Sequence, residues 1–142
     1  MMIVIEGENQ ILGRAATRIA KELLNGQDVA VVNAEKMVIS GSMPPLLAKY
    51  QQRRNMKNKA CPENSPHWPR RPDLFVRRIV RGMLPFDKPR GKAAFKKLSV
   101  YLGVPEELKA NEKIKPAGAD LEKLNTKYQT VALLCNRLGY ME

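Results

Sequence analysis

The first 33 residues constrain this fold more than any other part of the chain. Met2-Ile3-Val4-Ile5 is a short apolar run ended by Glu6-Gly7, the pattern of a strand buried on both faces. Ile11, Leu12, Ala15, Ala16, Ile19, Ala20, Leu23 and Leu24 then recur at helical spacing, with Arg14, Arg18, Lys21 and Glu22 on the other face. Asn25-Gly26 can close that helix, because both residues tolerate the left-handed conformation of a C-terminal cap. Residues 28–33 (Asp-Val-Ala-Val-Val-Asn) repeat the buried-strand pattern. Strand, helix and strand in about 30 residues make a βαβ unit, which requires parallel pairing. The expected fold class is therefore α/β: a three-layer domain with a small, mainly parallel central sheet flanked by helices.

Further along, Val38-Ile39-Ser40-Gly41 ends in a loop, and Pro44-Pro45 starts a helix through Leu46, Leu47 and Tyr50 towards Met56. Residues 60–72 (ACPENSPHWPRRP) hold four prolines and exclude regular structure. Asp73 can cap a helix whose apolar stripe is Phe75, Val76, Ile79, Val80 and Met83, with Arg77, Arg78 and Arg81 on the opposing side. Leu84-Pro85 stops it. A basic loop, Lys88-Pro89-Arg90-Gly91-Lys92, leads into a short helix over Ala93 to Lys97, and Leu98 to Leu102 is a third apolar strand. Residues 104–125 are polar and have no clear period. Gln129 to Leu138 reads as a terminal helix with Val131, Leu134, Cys135 and Leu138 inward. Without repeats or a linker, the 142 residues are expected to form one domain, with a basic segment at about 49–97 and a C-terminal extension, 104–142.

Charge is the second constraint. The chain carries +11 overall. Residues 36–97 hold 16 of the 25 Lys/Arg but only 3 of the 14 Asp/Glu, a net +13, while the other 80 residues sum to −2. A surplus kept for solubility would be spread along the chain. A concentrated one reads as a footprint for phosphates, with a merely solvated basic face as the bland alternative. Its densest part is Arg70, Arg71, Arg77, Arg78, Arg81, Lys88, Arg90, Lys92, Lys96 and Lys97, against which stand only Asp73 and Asp87. Arginine binds phosphate with a planar fork and stacks on rings, which lysine cannot do. The nearby segment His67-Trp68-Pro69-Arg70 joins aromatic and basic groups in a proline-stiffened loop that can lie against RNA; Trp68 packing the loop onto the core is the alternative. No groove-reading DNA motif is present.

The residues expected to meet RNA are Arg53, Arg54, Lys57, His67, Trp68, Arg70, Arg71, Arg77, Arg78, Arg81, Lys88, Arg90 and Lys92.

Enzymatic readings fare poorly. A nucleotide site would use the turn from Gly7 to Arg14, but a dinucleotide fingerprint needs G-x-G-x-x-G and a P-loop needs G-x4-G-K-[ST]. Here five residues separate Gly7 from Gly13, and Arg14-Ala15 replace the lysine and hydroxyl. Gly7 is expected to make the strand-to-helix turn and Gly13 to let the helix pack closely. His67 is the only histidine, and Cys61-x5-His67 supplies too few metal ligands at the wrong spacing, so no catalytic group, metal or cofactor is expected. Cys61 and Cys135 match no disulfide pattern and suit a reducing compartment as free thiols, Cys135 in the core. No run of about 18 apolar residues exists, and the start MMIVIEGENQ lacks a basic segment followed by a long apolar stretch. Neither membrane nor secretion is expected. Two rivals to a structural RNA-binding role are a nucleotide-dependent enzyme using the Gly7 turn and a free-standing RNA chaperone or translational regulator.

The block Val80-Arg81-Gly82-Met83-Leu84-Pro85, Gly91-Lys92 and Leu98-Ser99-Val100-Tyr101-Leu102-Gly103 closely resembles the signature of the universal large-subunit ribosomal protein family numbered thirteen. Ile11 to Ala16 resembles that family's first helix, Val32 to Glu35 and Ile39 to Gly41 its second-strand region, and Arg71-Pro72-Asp73 with Arg77-Arg78 the approach to the signature. His67 ahead of Arg70-Arg71-Pro72-Asp73, without a long basic C-terminal extension, resembles the archaeal type. The resemblance implies a non-enzymatic, cytoplasmic ribosomal protein that contacts large-subunit ribosomal RNA and neighbouring ribosomal proteins, joins early in subunit assembly and forms no homo-oligomer. After Met-Leu-Pro many members carry His and then Lys, where this chain has Phe86-Asp87, so the resemblance assigns no RNA contact to these two positions.

Overall fold

The structure, a computed structural model, describes residues 2–141. The opening βαβ unit forms as expected: strand β1 (Met2–Glu6), helix α1 (Leu12–Leu24) and strand β2 (Asp28–Val32). β1 and β2 pair in parallel, with Ile3 opposite Val29 and Ile5 opposite Val31. β3 (Val38–Ser40), α2 (Met43–Asn55), α3 (Pro72–Met83), α4 (Pro89–Lys96) and β4 (Leu98–Val100) follow. The chain closes with β5 (Lys113–Ile114), β6 (Tyr128–Thr130) and α5 (Val131–Arg137). The main sheet has the order β4-β2-β1-β5 and is parallel throughout; β3 and β6 form a separate antiparallel pair.

Strand alternation splits the core in two. Ile5, Val29 and Val31 face the helices, where Ile19 and Leu23 of α1, Phe75, Val76 and Val80 of α3, and Leu134 and Cys135 of α5 are buried together. Val4, Ala30 and Val32 face the other way and are covered by Leu108 and Val104. The third layer is thus thin: a segment with one short 3-10 turn, Glu106–Leu108. Burial on both faces explains why β1 and β2 are uninterrupted apolar runs.

Several boundaries differ from the sequence expectation, each for a tertiary or backbone reason. Val38–Ser40, to which the sequence assigned no element of its own, is a strand because the distant Tyr128–Thr130 pairs with it. The terminal helix accordingly starts at Val131, not Gln129, with Thr130 Oγ1 accepting the Leu133 N–H at 3.3 Å as its cap. Asp73 is not a cap. Proline is preset for the first helical position, so α3 begins at Pro72 and Asp73 lies in the first turn, where it pairs with Arg71. The same preference starts α4 at Pro89, so Arg90 and Lys92 sit on a helix instead of a basic loop. The third strand stops at Val100, short of Leu102. Within α3 the expected stripe holds for Phe75, Val76 and Val80, whereas Ile79 is half-buried and Met83 exposed. Residues 104–125, unplaced from sequence, supply the third layer and the edge strand β5.

Two glycines allow close backbone approach. A Cβ at Gly7 would sit 2.8 Å from the Val32 carbonyl oxygen, so the turn out of β1 is pressed against the end of β2. A Cβ at Gly91 would overlap the Pro85 carbonyl, so α4 packs on the turn that ends α3. Gly13 plays no such part: a Cβ there meets nothing within 4 Å, which overturns the expectation of close helix packing.

Candidate nucleic-acid interface

Phe75 is fully buried on the inner face of α3, and Tyr50 of α2 meets it edge-on, ring centroids 4.9 Å apart. Trp68, from the proline-rich loop, completes the cluster at 5.5 Å from Tyr50 and 6.2 Å from Phe75. Both readings of Trp68 therefore describe part of it: one side packs on the core, and the residue stays partly accessible. Its ring holds cations. Arg53 of α2 lies 4.8 Å and Arg78 of α3 5.5 Å from its centroid. The other α3 arginines have rings of their own, Arg81 over Phe86 at 3.9 Å and Arg77 over Phe95 at 4.9 Å, with Phe86 and Phe95 edge to face. Each such contact is worth about 0.5–1 kcal/mol at an exposed site. Together they bias the flexible guanidinium stems towards these rings.

Four of the thirteen residues expected to meet RNA, Arg53, Arg77, Arg78 and Arg81, are thus gathered around Trp68 and two phenylalanines, with exposed His67 at the margin. No carboxylate pairs with any of these four among the described residues. The mutual repulsion is visible at Arg78, whose pKa is lowered by burial and then by the neighbouring Arg81. Arg77 Nε is buried without a hydrogen-bond partner.

The remaining positions are dispersed. Arg71 is neutralised by Asp73 at 2.8 Å. Arg54 donates to the Leu138 carbonyl at the end of α5, Arg70 lies beside Gly139, and Arg90 donates to the Leu24 carbonyl at the end of α1. These three side chains are turned to helix ends, where cations are favoured. Lys57, Lys88 and Lys92 are exposed.

Phe86, Phe95 and Tyr50 are the site residues that sequence reasoning missed. Phe86 and Phe95 sit on either side of α4's start and read individually as packing residues. A usable signal was the spacing of aromatics at positions flanking an arginine helix.

At the ends of the strands, the turn from Gly7 to Arg14 lacks the lysine and hydroxyl of a phosphate-binding loop. Glu6 there accepts from Asn33 Nδ2 at 2.6 Å and meets Lys113 Nζ at 3.8 Å, while the Asn33 N–H donates to the Gly103 carbonyl. No group of three or more His, Cys, Asp or Glu among the described residues could hold a metal.

Fold and surface together define a class: a basic α/β protein whose distinguishing feature is a prearranged arginine–aromatic face suited to a polyanion. The comparisons narrow it. The family described as ribosomal protein L13 matches residues 1–107. The large ribosomal subunit protein uL13 of Methanocaldococcus jannaschii is 46% identical over 140 residues, covering 97% of this chain and 98% of its own. Those of Methanococcoides burtonii and Archaeoglobus fulgidus are each 42% identical over 139 residues, covering 98% and 87% of their own lengths and 97% and 96% of this chain. The chain belongs to the ribosomal protein L13 family, in its archaeal form, and that family is structural rather than enzymatic.

Proposed function

We propose that this protein is a structural constituent of the large ribosomal subunit, that it binds ribosomal RNA through the α3 face, and that it joins the subunit early in assembly. The observation that carries the RNA reading is the unneutralised arginine group on Trp68, Phe86 and Phe95. Phosphates would relieve the repulsion within that group, and Arg81 and Arg78 each lie over a ring with no carboxylate partner among the described residues. Arg53, Arg77, Arg78, Arg81, Trp68 and His67 form the centre of the contact. Arg54, Lys57, Arg70, Lys88, Arg90 and Lys92, dispersed outside that centre, add to the positive field, and Arg71, paired with Asp73, adds least. Neighbouring large-subunit proteins are the second class of partner, and the ribosome in the cytoplasm is the place of action. The chain works as one domain: β5 extends the main sheet beside β1, and Leu134 and Cys135 of α5 are buried in the same core as α1 and α3, so the extension 104–142 supports the basic segment.

The test is the salt dependence of binding to a large-subunit RNA fragment. Arg77→Ala with Arg81→Ala is expected to lower affinity across RNA sequences and to flatten the log–log salt slope by about one unit per lost contact. Unchanged affinity and slope would overturn the assignment. For the assembly role, the protein is expected at full stoichiometry in the smallest large-subunit precursors separated by sedimentation; its absence from them would refute early entry.

A further inference from the structure

The arginines of α3 do not form a flat patch. They form a ridge between two recesses. One recess, about 600 Å³, is lined by Trp68, Arg53, Gly82, Pro85 and Phe86 among others. The second, about 280 Å³, is lined by His67, Pro69, Leu74, Arg77 and Phe95. Arg78 and Arg81 belong to the walls of both. Each recess therefore sets aromatic and apolar walls beside cations; the larger one also has the carboxylate of Asp87 in its lining, and the cations they share stand on the ridge. Leu74, 41% exposed, adds an apolar side chain to the rim of the smaller one. Arg77 Nε, buried in that region, has no acceptor.

Phosphates alone have no use for such linings. A duplex presents phosphates and riboses and keeps its base faces stacked away from a protein. An unpaired strand offers what the surface is built for: flat apolar bases alternating with anions. We propose that α3 splits an unpaired RNA segment, seating one nucleotide in each recess and the phosphate between them on the Arg78–Arg81 ridge. This rests on the RNA-binding reading above and goes further, by naming the conformation of RNA that the face selects. An acidic peptide would satisfy the ridge but not the aromatic walls, and the test separates it.

Trp68 is the only tryptophan of the chain, so its fluorescence reports on the larger recess directly. The full-length protein would be titrated with a labelled single-stranded RNA of about eight nucleotides, a hairpin of equal charge, and oligoglutamate of equal charge. Label anisotropy would report binding, and Trp68 emission would report occupation of the larger recess, where a base meets the ring by displacing Arg53 or Arg78 from it. The expected result is that the single strand quenches Trp68 and binds more tightly than the hairpin, with oligoglutamate leaving the emission unchanged. Phe86→Ala, and separately the exposed-site variant Leu74→Glu, should each reduce the single-strand to hairpin preference by about tenfold, the scale of one lost base stack. A structural defect would weaken both ligands alike and leave the preference intact, which counts against the inference. RNA bound with unchanged Trp68 emission, or with no preference for the single strand, sinks the two-recess arrangement and leaves the RNA-binding role standing. Failure of every RNA to bind sinks the RNA-binding role itself. Quenching by oligoglutamate equal to that by RNA would reassign the face to an acidic protein.

Discussion

Helices α1 and α3 pack against each other and look alike in sequence. Each has a clean apolar stripe, and each carries basic residues on its outer side: Arg14, Arg18 and Lys21 on α1, Arg77, Arg78 and Arg81 on α3. In the fold they differ. The α1 cations are exposed, and Arg14 does no more than donate to the Gly118 carbonyl at 3.3 Å. The α3 cations are half-buried and parked on rings supplied by the 60–72 loop and the turn and helix that follow α3. Amphipathicity seats a helix; it does not hold the cations of its outer face in place. Aromatic neighbours from other parts of the chain do that, by fixing arginines that would otherwise sample many rotamers.

The comparison can be broken most forcefully in the core, where the two helices should be equals. Ile19→Ala in α1 and Phe75→Ala in α3 are each expected to cost about 2–5 kcal/mol in urea unfolding. Phe75→Ala should also loosen Trp68, shifting its emission to longer wavelength, as Ile19→Ala does not. A Phe75 variant with native Trp68 emission would remove the aromatic floor from the argument.

Alkali should distinguish the two sides next. The α3 side shares its core with Cys135, whose thiol burial pushes up to about 12, and with Tyr50, raised by burial despite the counteracting charge of Arg53. Both groups are stable neutral in the fold and ionise more readily in the unfolded chain. Their contribution is intact below about pH 8.5, the ordinary cysteine range, and is lost as pH rises towards 12. Urea midpoints should fall over that window, less steeply in Cys135→Ala. At neutral pH a thiol reagent should label exposed Cys61 and leave Cys135 untouched unless the protein is unfolded. Rapid double labelling of the native protein would contradict this.

A matched glycine pair sharpens the contrast further. Gly13 of α1 and Gly82 of α3 both have open space around the missing Cβ. Alanine at either should stabilise by about 0.5–1 kcal/mol. Only Gly82→Ala should also weaken RNA binding, because Gly82 lines the larger recess. The smallest effect is expected from Arg14→Ala with Arg18→Ala, which should change RNA affinity by no more than about twofold at physiological salt. A loss matching that of the Arg77 and Arg81 pair would make the whole basic surface, not the α3 face, the binding element.

Much of this could be read from the chain alone. Hydrophobic period fixes which residues turn inward, so β1, α1, β2 and the buried half of α3 follow from local pattern. The clustering of cations between residues 36 and 97 is likewise a property of the sequence, as is the block from Val80 to Gly103 that marks the family. What tertiary structure decided are the pairings between residues distant in the chain. β3 exists because β6 reaches it, and residues 104–108 become a layer because Val4, Ala30 and Val32 need cover. The basic segment, too, separates in space into arginines locked on aromatic rings and arginines bent to helix ends. Local pattern sets a side chain's inside or outside. Which neighbour it meets there depends on how elements pack, and that is a sum over contacts the linear sequence does not order.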